Sequence, residues 1–208
     1  MPIAWWGLVG LFTAMLINRA ADCWLSPARL QCGLTRHPVR QGAVWVALPI
    51  LFMVLAWRTP DASHLGAMCL FAAVLVLLAI VDREQRRVPN VVLLPSVALA
   101  LLLAWQGDYL LSAAAGAALA MLIFAGLYAV GCRFYGPGAL GIGDVKLAGL
   151  IGAMTGVAWM PYALFLGIFL AGAAAAVMLL TGRARRGDTL PYGHFMALAA
   201  LLLLVVQA

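Results

Sequence analysis

Two aspartates carry the chemistry open to this chain. Gly141-Ile142-Gly143-Asp144-Val145-Lys146 sets an aspartate at the mouth of an apolar helix, with two glycines before it and a lysine after it. Asp82 ends an earlier apolar run, 72–81. Carboxylates at a membrane edge are costly, so two of them point to function. Held close, two carboxyls cannot both ionise easily, and one keeps its proton. The ionised member can take a proton from a water held between them. The protonated member can donate to a peptide carbonyl as that water attacks. This is aspartic-protease chemistry, and it requires no metal, nucleotide or covalent intermediate. The glycines at 141 and 143 let the backbone bend and come close to a substrate strand.

Each aspartate also has a plainer reading. Asp144 fits an N-cap at the positive end of a helix. Asp82 stands at a helix C-terminus, where the dipole disfavours an anion. It fits a solvated partner of Arg83, Arg86 or Arg87, a kind of pair that contributes little. Asp22, Asp61, Glu84, Asp108 and Asp188 read as solvated charges in polar loops.

The elements that must position the pair are membrane helices. The chain has 208 residues, 66% hydrophobic and 10% charged. A soluble domain would carry roughly a quarter charged residues. So much apolar surface cannot be hidden inside a small globule. The expected fold is an all-α polytopic bundle, one domain over 1–208. About eight spans are expected, near 3–21, 43–57, 65–81, 91–105, 109–132, 145–159, 162–180 and 190–206. The first run lacks a basic segment before it and a clear cleavage site after it, so it reads as a retained helix. In the sixth span Gly152 and Gly156 make a small-xxx-small pair, which reads as packing. Trp5, Trp6, Trp57 and Trp105 fall near span ends as interface anchors.

Basic residues test this arrangement. With eight spans, every Lys and Arg except Arg58 falls on one side of the membrane. That side is the cytoplasm by the positive-inside rule, and both termini are outside. The net charge of +6 is then a topology signal with attraction to anionic lipid, and calls for no nucleic acid. The same count places Asp82 and Asp144 together at the inner edge of the bilayer.

These residues resemble a known family. Gly141 to Leu147 resembles the G-x-G-D-x-K-L motif of type IV prepilin peptidases. Asp82-Arg-Glu-Gln-Arg-Arg-Val-Pro89-Asn90 resembles their first aspartate motif, and Leu190-Pro191-Tyr192-Gly193 their closing Pro-Phe/Tyr-Gly element. Leu16-Ile17-Asn18 is similar to a weakened G-S-F-L-N stretch, with Ala14 where glycine is usual. The resemblance implies that Asp82 and Asp144 are catalytic. It also implies that Asn18, Pro89, Asn90, Gly141, Gly143, Lys146, Pro191 and Gly193 shape the site or contact substrate. The implied substrates are prepilin or pseudopilin precursors in the bacterial inner membrane, each with a short basic leader before an apolar helix.

The chain departs from bifunctional members in one place. Those carry a large first cytoplasmic loop with two C-x-x-C pairs, and they also N-methylate the product with S-adenosylmethionine. Here that loop is only 22–42, with Cys23 and Cys32 and no C-x-x-C. A four-thiolate zinc site cannot be built from it, and structural disulfides are not expected in a reducing compartment. Methyl transfer, and S-adenosylmethionine with it, is therefore in doubt. His37 and His64 read as loop residues and His194 as packed or interfacial. Two rivals remain open: a presenilin-like intramembrane aspartyl protease, which shares G-x-G-D, and a small proton-coupled transporter using both aspartates.

Overall fold

The structure is a computed structural model describing residues 3–25, 38–136, 140–182 and 192–208. Among these there are helices and no strands: α1 (Ile3–Leu25), α2 (Pro38–Arg58), α3 (Ala62–Gln85), α4 (Asn90–Gln106), α5 (Leu110–Tyr135), α6 (Ile142–Leu180) and α7 (Tyr192–Gln207). Five of them (α1, α2, α3, α5 and α6) are long and apolar enough to cross a membrane; α4 and α7 are apolar but shorter. In a bilayer the backbone must satisfy its own polar groups, which is why apolar runs of this length fold as helices.

Several helices outrun the expected spans. α1 and α2 extend into the 22–42 loop from both sides, leaving 26–37 between them outside the described residues. α3 runs on to Gln85, so Asp82 does not open a loop but sits in the last turn. Arg86 ends α3 in the left-handed conformation (φ 53°), and its N–H returns to the Asp82 carbonyl at 2.8 Å. Charged residues near a span end can still be helical when a neighbouring helix partners them.

The sixth and seventh expected spans are two arms of one helix, α6, with no loop between them. Its helical geometry breaks at Gly156 (φ 66°, ψ 179°), a conformation that side chains strain to adopt. A straight helix would carry Gly167 ~35 Å from Asp144. Instead, a Cβ on Gly167 would lie 3.1 Å from the Met196 Cα, and Gly193, one turn earlier on α7, lies against Asp144. The second arm therefore folds back toward the end where α6 began. At the break, the Ser112 hydroxyl of α5 accepts the Val157 N–H at 3.3 Å, replacing a lost helical bond. Gly152 packs as expected: the space a Cβ on facing Gly116 would fill lies 2.6 Å from the Gly152 carbonyl oxygen. Gly156 is instead the hinge.

An ion-pair hub binds the ends of α1, α2 and α3. Arg40 of α2 pairs with Asp22 of α1 and, at 3.2 Å, with Glu84 of α3; Gln41 donates to Asp22 at 3.0 Å. Asp22 and Glu84 are thus not solvated loop charges. Their side chains and that of Arg40 are 10–19% exposed, so the pairs are poorly screened. Arg40→Ala leaves two carboxylates half-buried without their cation. It is expected to lower stability by about 2 kcal/mol, read as thermal unfolding in detergent. Arg40→Lys should lose less. A change within about 0.5 kcal/mol would mean that water replaces the arginine. Asp61 also has a structural role. It caps α3, accepting the Ser63 N–H at 3.3 Å.

Candidate active site

Three helix ends meet at the aspartates. Asp82, in the last turn of α3, is 5% exposed, and Asp144, in the first turn of α6, is 7% exposed. The Asp82 Oδ2 accepts the backbone N–H of His194 at 2.7 Å. The Asp144 Oδ2 accepts the backbone N–H of Gly141 at 3.1 Å. The first N–H groups of a helix have no partner within it. Here the amino ends of α6 and α7 turn such groups on the carboxylates, with the Gly193 N–H of α7 also directed at Asp144, and both dipoles favour a negative charge there. That offsets the poor placement of Asp82 at the carboxyl end of its own helix. Asp144 is not the N-cap of α6. Gly141 is the N-cap, and Asp144 reaches back to it from the third helical position.

Gly193 sets the spacing of the pair. A Cβ placed on it would stand 2.9 Å from the Asp82 Oδ2 and 3.2 Å from the Asp144 Oδ1. Those two oxygens are therefore at most about 6 Å apart, within reach of one bridging water. Only a glycine lets the first turn of α7 approach both carboxyls this closely.

The other two motifs are stitched together beside the pair. Lys146 Nζ donates to Asn90 Oδ1 at 3.1 Å, joining α6 to α4. A Cβ on Gly143 would meet Val88 Cγ2 at 3.0 Å, so this glycine permits close packing on the α3–α4 connection. Pro89 begins α4: its carbonyl accepts the N–H of Val92 and of Leu93, each at 3.1 Å. Gly141 has ordinary extended dihedrals (φ −85°, ψ 142°), so neither of these glycines is needed for an unusual bend.

Asn18 belongs elsewhere. It is buried, and its Nδ2 donates to the Gln41 carbonyl at 3.5 Å, beside the Arg40 hub. Pro191 and Cys32 lie outside the described residues. Cys69 is a buried free thiol of α3, and Cys132, on α5, is also free. The residue missed by sequence reasoning is His194. Its role is carried by a backbone N–H, which no residue type announces; its ring Nε2 lies 3.4 Å from Arg83 Nη1.

Residues 69–177, which include both aspartates, match the model of the Type IV leader peptidase family. The chain belongs to that family. It is similar to the "Prepilin leader peptidase/N-methyltransferase" of Pseudomonas putida, 28% identical over 166 residues, 79% of this chain and 58% of the relative. The protein of the same description from Stutzerimonas stutzeri is 26% identical over 186 residues, 88% of this chain and 64% of the relative. That of Bacillus subtilis is 29% identical over 159 residues, 73% of this chain and 60% of the relative. The chain thus spans about three fifths of the length of the curated relatives it matches. No solved structure matches it. Membership in the family rests on 69–177; Asn18 and Gly193 fall outside that match.

Proposed function

We propose that the chain is a membrane aspartic endopeptidase. It removes the short basic leader from prepilin or pseudopilin precursors at the cytoplasmic face of the bacterial inner membrane. The observation that carries this is the meeting of two buried carboxyls across Gly193, within reach of one water. Asp82 and Asp144 share the work of general base and general acid on that water and the scissile carbonyl. Both carboxyls lie at helix ends and not in mid-helix, which favours this reading over a transporter with a midplane site. The family membership and the descriptions of the relatives support the substrate class. No metal takes part in this mechanism.

The chain crosses the membrane eight times with both termini outside, the arms of α6 being the sixth and seventh crossings. Reporter fusions at Arg40 and Arg86 should read cytoplasmic, and fusions at Asp61 and Asp108 external. An external signal at Arg86 would put Asp82 on the wrong side for a cytoplasmic leader. The relatives' description includes methyl transfer, but this chain has no C-x-x-C pair in its short first loop. We read it as a peptidase that does not use S-adenosylmethionine.

The deciding experiment incubates the purified chain in lipid vesicles with a prepilin-type precursor and weighs the products. Cleavage between leader and apolar helix, unaffected by chelator, is expected. An intact precursor after confirmed insertion of both partners would refute the peptidase reading.

A further inference from the structure

Beside the aspartate pair, an apolar groove of about 810 Å³ runs between α2, α3 and α7, with Leu170 of α6 at its edge. Ala43, Ala47 and Leu51 line the α2 wall at intervals of four, one above another on a single face. His194, Leu198 and Leu202 line the α7 wall with the same spacing. Along α2 the groove covers ~18 Å, more than half of a ~30 Å hydrocarbon core. Its polar residues, among them Arg83 and His194, gather at the end where Asp82 lies. The far end reaches Val205, whose carbonyl accepts from Arg58 at 3.1 Å, at the opposite end of α2.

We propose that this groove receives the apolar helix of the precursor and delivers the bond to be cut to Asp82 and Asp144. The proposal rests on the peptidase reading and adds the route to the site. Continuity is the first ground. His194 lines the groove and its backbone N–H holds Asp82, and Arg83 and Glu84, which follow Asp82 in the chain, line it too, so the groove ends next to the pair, although neither aspartate is part of its lining. Shape is the second. Both walls run along their helix axes, so an elongated occupant lies alongside them. Exposed Ala43 and Ala47 let a helix backbone come close, which an acyl chain does not require. Polarity is the third. Around the cut the occupant must leave its helix, and the freed N–H and C=O groups need partners. The groove is polar only at that end.

The test uses the full chain in membranes. A photo-crosslinking residue is placed at Ala47, Leu51 or Leu202, in an Asp144→Asn background that keeps the precursor uncut. Adducts with co-expressed precursor are expected from all three positions. None is expected from Leu122, an exposed position on α5. Adducts with lipid or with a second copy of the chain, and not with precursor, would overturn the proposal. A second arm fills the groove with Ala47→Trp in the active chain. KM for the precursor should rise about tenfold or more with kcat little changed, because binding is lost and chemistry is not. Wild-type KM in that variant would reject the groove while leaving the peptidase reading standing. Failure of the unaltered chain to cut any precursor would instead reject the peptidase reading, and the groove with it.

Discussion

Asp82→Asn and Asp144→Asn should each slow precursor cleavage by ~10³-fold or more. Asparagine keeps the size of the side chain and its oxygen can still accept the His194 or Gly141 N–H. It can neither take a proton from water nor act as a carboxylic acid. The loss should therefore come without loss of insertion or amount, measured by immunoblot of the membrane fraction. Removing a buried charge from a helix end costs little here, because the backbone donors remain partnered. A variant with near wild-type turnover would show that its aspartate is only a cap for the neighbouring helix. Asp144 is the sharper case, since its reach back to Gly141 would by itself explain an aspartate at that position.

Gly193→Ala should slow cleavage by at least ~10²-fold, through geometry alone. The added methyl would meet Asp82 Cγ and Oδ2 at 2.9 Å and Asp144 Oδ1 at 3.2 Å. Both carboxyls would have to move, and the Asp82 oxygen is held by the His194 N–H. α7 can also shift outward, but that breaks the same hydrogen bond. Either response spoils the placement of the shared water. The check is kcat with saturating precursor at a temperature where thermal unfolding in detergent shows the variant still folded. Cleavage within twofold of the unaltered chain would mean that another contact sets the spacing.

The parts legible in the sequence were those that depend on local pattern. Composition alone points to apolar helices, and the split of basic residues predicts that Asp82 and Asp144 lie near one another; the structure brings them together across Gly193. What the pattern could not show was long-range pairing. Asp22, Arg40 and Glu84 come from three helices, and nothing in their local context distinguishes a hub from loop charges. The sequence divides the sixth and seventh spans at 160–161, a few residues past the hinge, because no charged residue marks Gly156. By spacing Gly156 is a packing residue like Gly152, whereas its backbone in the structure is non-helical. Only the family resemblance points to Gly193 in the sequence; its reason, room for two carboxyls, needs α3, α6 and α7 in place at once. Asn18 shared a motif resemblance yet sits with Gln41, so a motif can serve the packing of α1 on α2 as well as the chemistry.

The most direct test is a double-mutant cycle on cleavage rate with Asp82→Asn, Asp144→Asn and both together. Two groups that act on one water form a unit, and once either is lost the other has nothing left to do. The double variant should therefore cut at the same residual rate as each single variant. If the two losses instead multiply, each aspartate acts alone and the shared-water mechanism is wrong.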